Sequence, residues 1–228
     1  MYWDSTYYLV LLGVALCAIA SWNVSRTFKR FSGIMNRRGV PAQEVAALIL
    51  QRAGIDDVRI EQVRGSLTDH YAPGEKTLRL SDSVYGSTSV AAIGVAAHEC
   101  GHAIQHNVGY GPLKLRSASV PIASIGSRLY WPLILFGLIL GYLELAQIGV
   151  FLFGFVVLFQ LITLPVEFNA SRRALGILSE NALLMGDELN GAEKVLRAAA
   201  MTYVASLFSS VLQMLRLILL TRRRDGQR

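Results

Sequence analysis

The sequence predicts a mainly α-helical membrane protein of three or four spanning helices, with one small α+β unit on the cytoplasmic side. Three observations lead there. Hydrophobic residues make up 53% of the 228 and charged residues only 17%, too apolar for an ordinary soluble domain of this length. Long apolar runs recur near the N-terminus, after Arg128 and near the C-terminus, each flanked by Lys or Arg. Between the first two runs, residues 25–117 become mixed in composition and read as helix, strands and helix. The two cysteines, Cys17 in an apolar run and Cys100 in a helix, do not form a disulfide framework. The net charge of +6 sits beside the apolar runs, with no aromatic-basic RNA motif. That pattern argues against nucleic acid as a partner and for anionic lipids.

Residues 7–22 are apolar apart from a few small residues, with Tyr2, Trp3, Tyr7 and Tyr8 at one end and Trp22 at the other, in the manner of interfacial aromatic belts. No Lys or Arg precedes the run, and Asp4 stands where a signal peptide carries positive charge, so segment 1–24 reads as a retained anchor. Arg26, Lys29, Arg30, Arg37 and Arg38 follow at once, which places the N-terminus outside and segment 25–117 in the cytoplasm. Pro41 then opens an amphipathic helix over 42–53, closed by Gly54. Val58, Ile60 and Val63, with polar residues among them, predict a strand. Residues 67–71 and 77–81 flank Ala72-Pro73-Gly74-Glu75-Lys76 as a hairpin. Ser87, Thr88 and Ser89 offer N-caps to an Ala-rich helix that Gly109 and Gly111-Pro112 end. Within 118–165, apolar blocks 129–143 and 148–164 are joined by a turn around Glu144 to Gln147, forming a membrane hairpin. Lys114, Arg116 and Arg128 before it, and Arg172 and Arg173 after it, put both its ends in the cytoplasm together with segment 166–197. In segment 198–228 hydropathy favours a further span, whereas the tail Arg222-Arg223-Arg224 favours an interfacial helix that keeps this charge inside.

VAAHECGHAIQH, residues 95–106, falls on the Ala-rich helix. At about 100° per residue, His98 and His102 lie about 40° apart on one face and one turn apart along it, so both imidazoles reach one ion. Glu99 is offset by about 100°, beside the ion, where a carboxylate takes a proton from the attacking water and later passes one to the leaving amine. Two imidazoles and a carboxylate suit Zn2+, and a catalytic zinc wants a third protein ligand with one open position. A buried histidine pair hydrogen-bonded within a core would show the same short pattern, so the weight falls on that third ligand. His106 is about 12 Å farther along the axis than His98, out of reach of the same ion, and reads as a helix-end or supporting residue. Glu167 in LPVEFNASRRAL is the candidate, because two spans return it to the face of His98 and His102 while Glu144 lies on the other side. Glu180, Glu188 and Glu193 read as exposed helical charges. His70 could hydrogen-bond the oxyanion, and Asn169 or Arg172 could orient ligands or bind substrate. Each also has a plain reading, as a strand histidine, a helix cap or a lipid contact. Cys100, about 200° from His98, faces packing, and Gly101 allows close helix approach. Asn23-Val24-Ser25 and Asn169-Ala170-Ser171 match the glycosylation pattern but fall on the cytoplasmic side.

With HECGH, the preceding GSLTDHYAPGEKTLRLS, and LPVEFNASRRAL after a membrane hairpin, the chain resembles the YugP-like membrane zinc metallopeptidases along nearly its whole length. More distantly, it is similar to the HtpX and CAAX-prenyl-protease group of gluzincins, with a zincin-like α+β unit. The resemblance implies His98, His102 and Glu167 as ligands of a Zn2+ cofactor and Glu99 as catalytic base. HtpX-type proteins usually carry an acidic residue one turn after the ligand glutamate; here that position is Ser171, so the ligands must be supported differently. Motif, topology and resemblance lead to an integral cell-membrane, zinc-dependent endopeptidase acting at the cytoplasmic face on peptides or proteins, membrane proteins among them. A scaffold or chaperone-like protein with a structural zinc would show the same motif, but would keep its role in a Glu99→Gln form. A solute transporter fits less well, because three or four spans without a chain of buried carboxylates give no pathway.

Overall fold

The structure, a computed structural model, describes residues 6–225; Tyr2, Trp3 and Asp4 lie outside the described residues, as do the side chains of Arg223 and Arg224. In chain order the elements are α1 (Tyr7–Ser32), α2 (Ala42–Arg52), β1 (Arg59–Val63), β2 (His70–Ala72), β3 (Thr77–Ser81), α3 (Val90–Asn107), α4 (Gly111–Leu140), α5 (Leu143–Glu180) and α6 (Asp187–Asp225). The protein is thus mainly α-helical with one small α+β part. Among the described residues four helices, α1, α4, α5 and α6, are long and apolar enough to cross a membrane. The C-terminal apolar stretch, ambiguous in the sequence, lies within the single unbroken helix α6 and meets the same criterion of length and composition.

Two boundaries differ from the sequence reading. The turn between α4 and α5 falls at Gly141, with φ of 76°, and Tyr142, whereas Glu144 to Gln147, where it was expected, are already helical. A left-handed residue is what stops a helix sharply, and glycine takes that conformation without a Cβ clash, so it outranks local polarity as a stop signal. The expected strand over 67–71 shrinks to β2, because Leu67 sits at φ 57° in a bend and cannot continue an extended strand.

The described residues form two compact units. The first lies within Met1–Ser21, Leu115–Leu164 and Thr202–Arg228. Here α4 and α5 approach at backbone distance: a Cβ on Gly126 would stand 2.8 Å from the Leu152 carbonyl oxygen, and one on Gly149 2.8 Å from that of Tyr130. Small residues at such crossings are how apolar helices gain van der Waals contact where no hydrophobic effect drives them together. Ile134, Phe153 and Leu217 fill the interior, while Ile139, Phe151, Leu158 and Phe208 are exposed, as lipid-facing side chains are.

The second unit comprises Trp22–Lys114 and Pro165–Met201, and α3 is its centre. Ala91, Ala92, Ala96, Ala97 and Cys100 are fully buried, so this helix meets neighbours on nearly every side and its small residues let them come close. Ile49 of α2, Leu78 and Leu80 of β3, and Leu178 of α5 pack with it in one core. Each such side chain contributes about 1.5–3 kcal/mol by leaving water. Ser89 caps the helix, its Oγ accepting the Ala92 N–H at 3.2 Å. The sheet has the order β1-β3-β2, with β1 parallel and β2 antiparallel to the central β3. Leu78 and Leu80 enter the core, and Arg79 between them pairs with Glu61 at 3.4 Å and with Glu75.

Candidate metal centre

Three of the sequence-predicted side chains converge inside the second unit. His98 and His102 project one turn apart from α3, and Glu167 from the part of α5 beyond its apolar run. His98 Nε2 lies 3.3 Å and His102 Nε2 3.6 Å from the same Glu167 oxygen, Oε2, and donor atoms of all three residues lie within 4.8 Å of one another. Ligands about 2.0–2.1 Å from a tetrahedral zinc stand about 3.3–3.4 Å apart, so this spacing fits that ion. The helices can come this close because Gly101 faces Ala170: a Cβ there would lie only 2.6 Å from the Ala170 carbonyl oxygen. The sequence permits the site by what it leaves out at Gly101 as much as by the ligands it supplies.

Hydrogen bonds on the far side of each imidazole fix which nitrogen faces the cluster. Arg173 Nε can only donate, and it donates to Asn169 Oδ1 at 2.8 Å. That oxygen also accepts from Gln105 Nε2 at 2.9 Å, and the same nitrogen donates to the Val166 carbonyl at 2.9 Å. The Gln105 amide is thereby oriented, and its Oε1 lies 3.0 Å from His102 Nδ1, which must donate to it. When His102 is neutral, the lone pair of Nε2 therefore faces the Glu167 carboxylate, where a proton or a metal ion can sit between the two. His98 Nδ1 lies 3.1 Å from Ser171 Oγ, so Ser171, one turn after Glu167, is what supports this imidazole. Burial of His102 opposes its protonation, but Glu167, Glu99 and Gln105 outweigh it and raise its pKa above the ordinary histidine value. A proton and a metal ion compete for that place, since a histidine ligates only in its neutral form.

Glu99 is buried beside this cluster and outside it, its Oε2 accepting the Tyr71 N–H of β2 at 3.0 Å. His106 lies outside the cluster, bonded through Nδ1 to the Tyr71 hydroxyl at 2.9 Å. His70 is exposed, with Nδ1 2.9 Å from the Thr68 carbonyl oxygen, and is not brought to the ligands. Asn169 does join the site, through Gln105. Arg172 is exposed, and it is the adjacent Arg173 that enters the network. Cys100 points the other way, its Sγ 3.6 Å from the Ala46 carbonyl of α2, and burial pushes the thiol pKa up. Sequence reasoning missed Gln105, Arg173 and the Tyr71 N–H. Gln105 does carry a signal, since a residue three after a ligand histidine stands on the same helix face.

Comparison with known proteins gives the same direction. The family described as "Putative neutral zinc metallopeptidase" matches residues 6–222. A relative from Bacillus subtilis (strain 168), "Putative membrane protease YugP", is 43% identical over 213 residues, covering 93% of this chain and 95% of the relative. No solved structure matches. With the match running over nearly the whole chain, the protein belongs to this neutral zinc metallopeptidase family.

Proposed function

We propose that the protein is an integral-membrane zinc endopeptidase of the gluzincin type that hydrolyses peptide bonds at the cytoplasmic face of the cell membrane. One observation carries this reading: His98 and His102 Nε2 stand 3.3 and 3.6 Å from one oxygen of Glu167, and the buried Glu99, next to His98 on α3, is near enough to help raise the His102 pKa. Bound there, zinc supplies Lewis-acid polarisation of the scissile carbonyl and activation of a water molecule. His98, His102 and Glu167 would hold the ion. Glu99 moves the proton, taking it from the attacking water and giving it to the amide nitrogen as the C–N bond breaks. The Tyr71 N–H on Oε2 aims this carboxylate, which leaves Oε1 for the transfer. β2 is an edge strand of the sheet, and an extended peptide lying beside it would be brought next to Glu99, which the Tyr71 N–H of that strand holds. The basic residues after the first apolar run and on both sides of the α4–α5 hairpin favour the cytoplasmic side.

The test is a peptidase assay on the purified full-length protein, with metal content measured on the same samples. Glu99→Gln should keep its zinc and lose about 10²–10⁴-fold in kcat. Undiminished turnover in that variant would remove Glu99 as the base. A wild-type protein loaded with zinc and inert toward peptides would favour the scaffold reading.

A further inference from the structure

The second unit holds a cleft of about 390 Å³, lined by Asn23, Arg26, Thr27 and Arg30 of α1 and by Lys194 and Arg197 of α6. Their spacings, i, i+3, i+4, i+7 on one helix and i, i+3 on the other, place each set on a single helical face. Four cations share the cleft and no carboxylate lines it. Among the described residues none of the four forms an ion pair. Arg26, Arg30, Lys194 and Arg197 are all exposed, so the charge is presented and not buried. Asn23 and Thr27 add neutral hydrogen-bonding groups, and Phe31 and Met201 supply apolar wall. The helices are held close by Gly191, where a Cβ would meet Phe31 Cδ1 at 2.8 Å.

The cleft's place along the chain says which anion it meets. Its α1 wall begins directly after the apolar run that ends at Trp22, and its α6 wall ends at Met201, just before the exposed apolar residues Tyr203, Phe208 and Val211. Trp22 is 61% exposed, with the Arg26 guanidinium 5.1 Å over its ring. A tryptophan capped by a cation at the end of an apolar helix marks the headgroup level of a bilayer. We propose that this cleft binds the phosphodiester headgroup of an anionic membrane lipid, with the Arg and Lys groups on the phosphate and Met201, at the end next to the apolar runs, against the glycerol and upper acyl chains. The proposal is independent of the chemistry assigned to the metal centre.

The test uses the full-length protein in detergent micelles, titrated with short-chain phosphatidylglycerol, short-chain phosphatidylcholine and inorganic phosphate. Phosphatidylglycerol should bind saturably, phosphatidylcholine should not, and inorganic phosphate should bind at least about tenfold more weakly, since it lacks the apolar contacts. Each basic residue is worth about fivefold in affinity for anionic lipid, so Arg30→Gln with Arg197→Gln should weaken binding about 25-fold. The control pair, Lys29→Gln with Arg38→Gln, removes equal charge from positions that do not line the cleft and act on a bound headgroup only through screening solvent, and should change binding less than about threefold. Helicity measured on each variant checks that it is folded. Equal losses in the two pairs would reduce the effect to diffuse surface charge and overturn the site. Inorganic phosphate binding as tightly as phosphatidylglycerol would overturn the lipid assignment.

Discussion

Arg173 Nε must donate, and from that one constraint it follows, through Asn169 and Gln105, that His102 Nδ1 carries a proton. Gln105 is completely buried, and its amide finds partners at both ends, so the buried polar group is satisfied while it orients a ligand. Gln105→Leu should therefore weaken zinc binding about 10–100-fold, measured by competition with a chelator, because His102 loses the acceptor that fixes its tautomer. Gln105→Glu separates orientation from volume. It keeps an acceptor for His102 Nδ1, but sets a carboxylate oxygen against the Val166 carbonyl and Asn169 Oδ1, where Gln105 now donates. Its zinc affinity should also fall, and wild-type affinity in Gln105→Glu would show that the amide's direction does not matter. The three side chains that converge were legible in the sequence, two by helical spacing and the third by counting membrane crossings. Of the residues around them Asn169 was named in advance, whereas Arg173 was not, because whether Arg172 or Arg173 faces α3 depends on a rotation of α5 that no pattern in the sequence sets.

At the scale of elements, the crossing of α3 and α5 decides whether the ligands meet. Alanine in place of glycine within a helix gains about 1 kcal/mol of propensity. At Gly101 the new methyl would lie 2.6 Å from the Ala170 carbonyl oxygen, and a backbone atom in a packed helix cannot step aside cheaply. Overpacking of this kind costs about 1–3 kcal/mol, so the clash wins. Gly101→Ala should lower both thermal stability and zinc occupancy, and an unchanged melting temperature with full zinc would mean that α3 and α5 have room for a methyl at this crossing. Gly101 is legible as a site of close approach, although its partner Ala170 is not. The helix cap at Ser89 and strand β3 follow from local signals, a hydroxyl before an Ala-rich run and alternating apolar residues. β2 departs from its expected span because Leu67 adopts a left-handed φ that its side chain does not advertise.

For the molecule as a whole, residues distant in sequence form one chemical unit: Trp22–Lys114 and Pro165–Met201 pack together around α3. Hydropathy and charge indicated the membrane runs, and those runs in turn indicated which glutamate could return to the histidines. The cleft between α1 and α6 lay beyond such reasoning, because two basic helix faces far apart in sequence meet only through tertiary packing. The central claim is that His98, His102 and Glu167 together hold one zinc ion. Metal analysis of purified wild type beside His98→Ala and Glu167→Gln, at limiting zinc, tests it most directly. The account predicts about one zinc per chain in wild type and a loss of most of it in both variants. Wild-type zinc content in Glu167→Gln would contradict it.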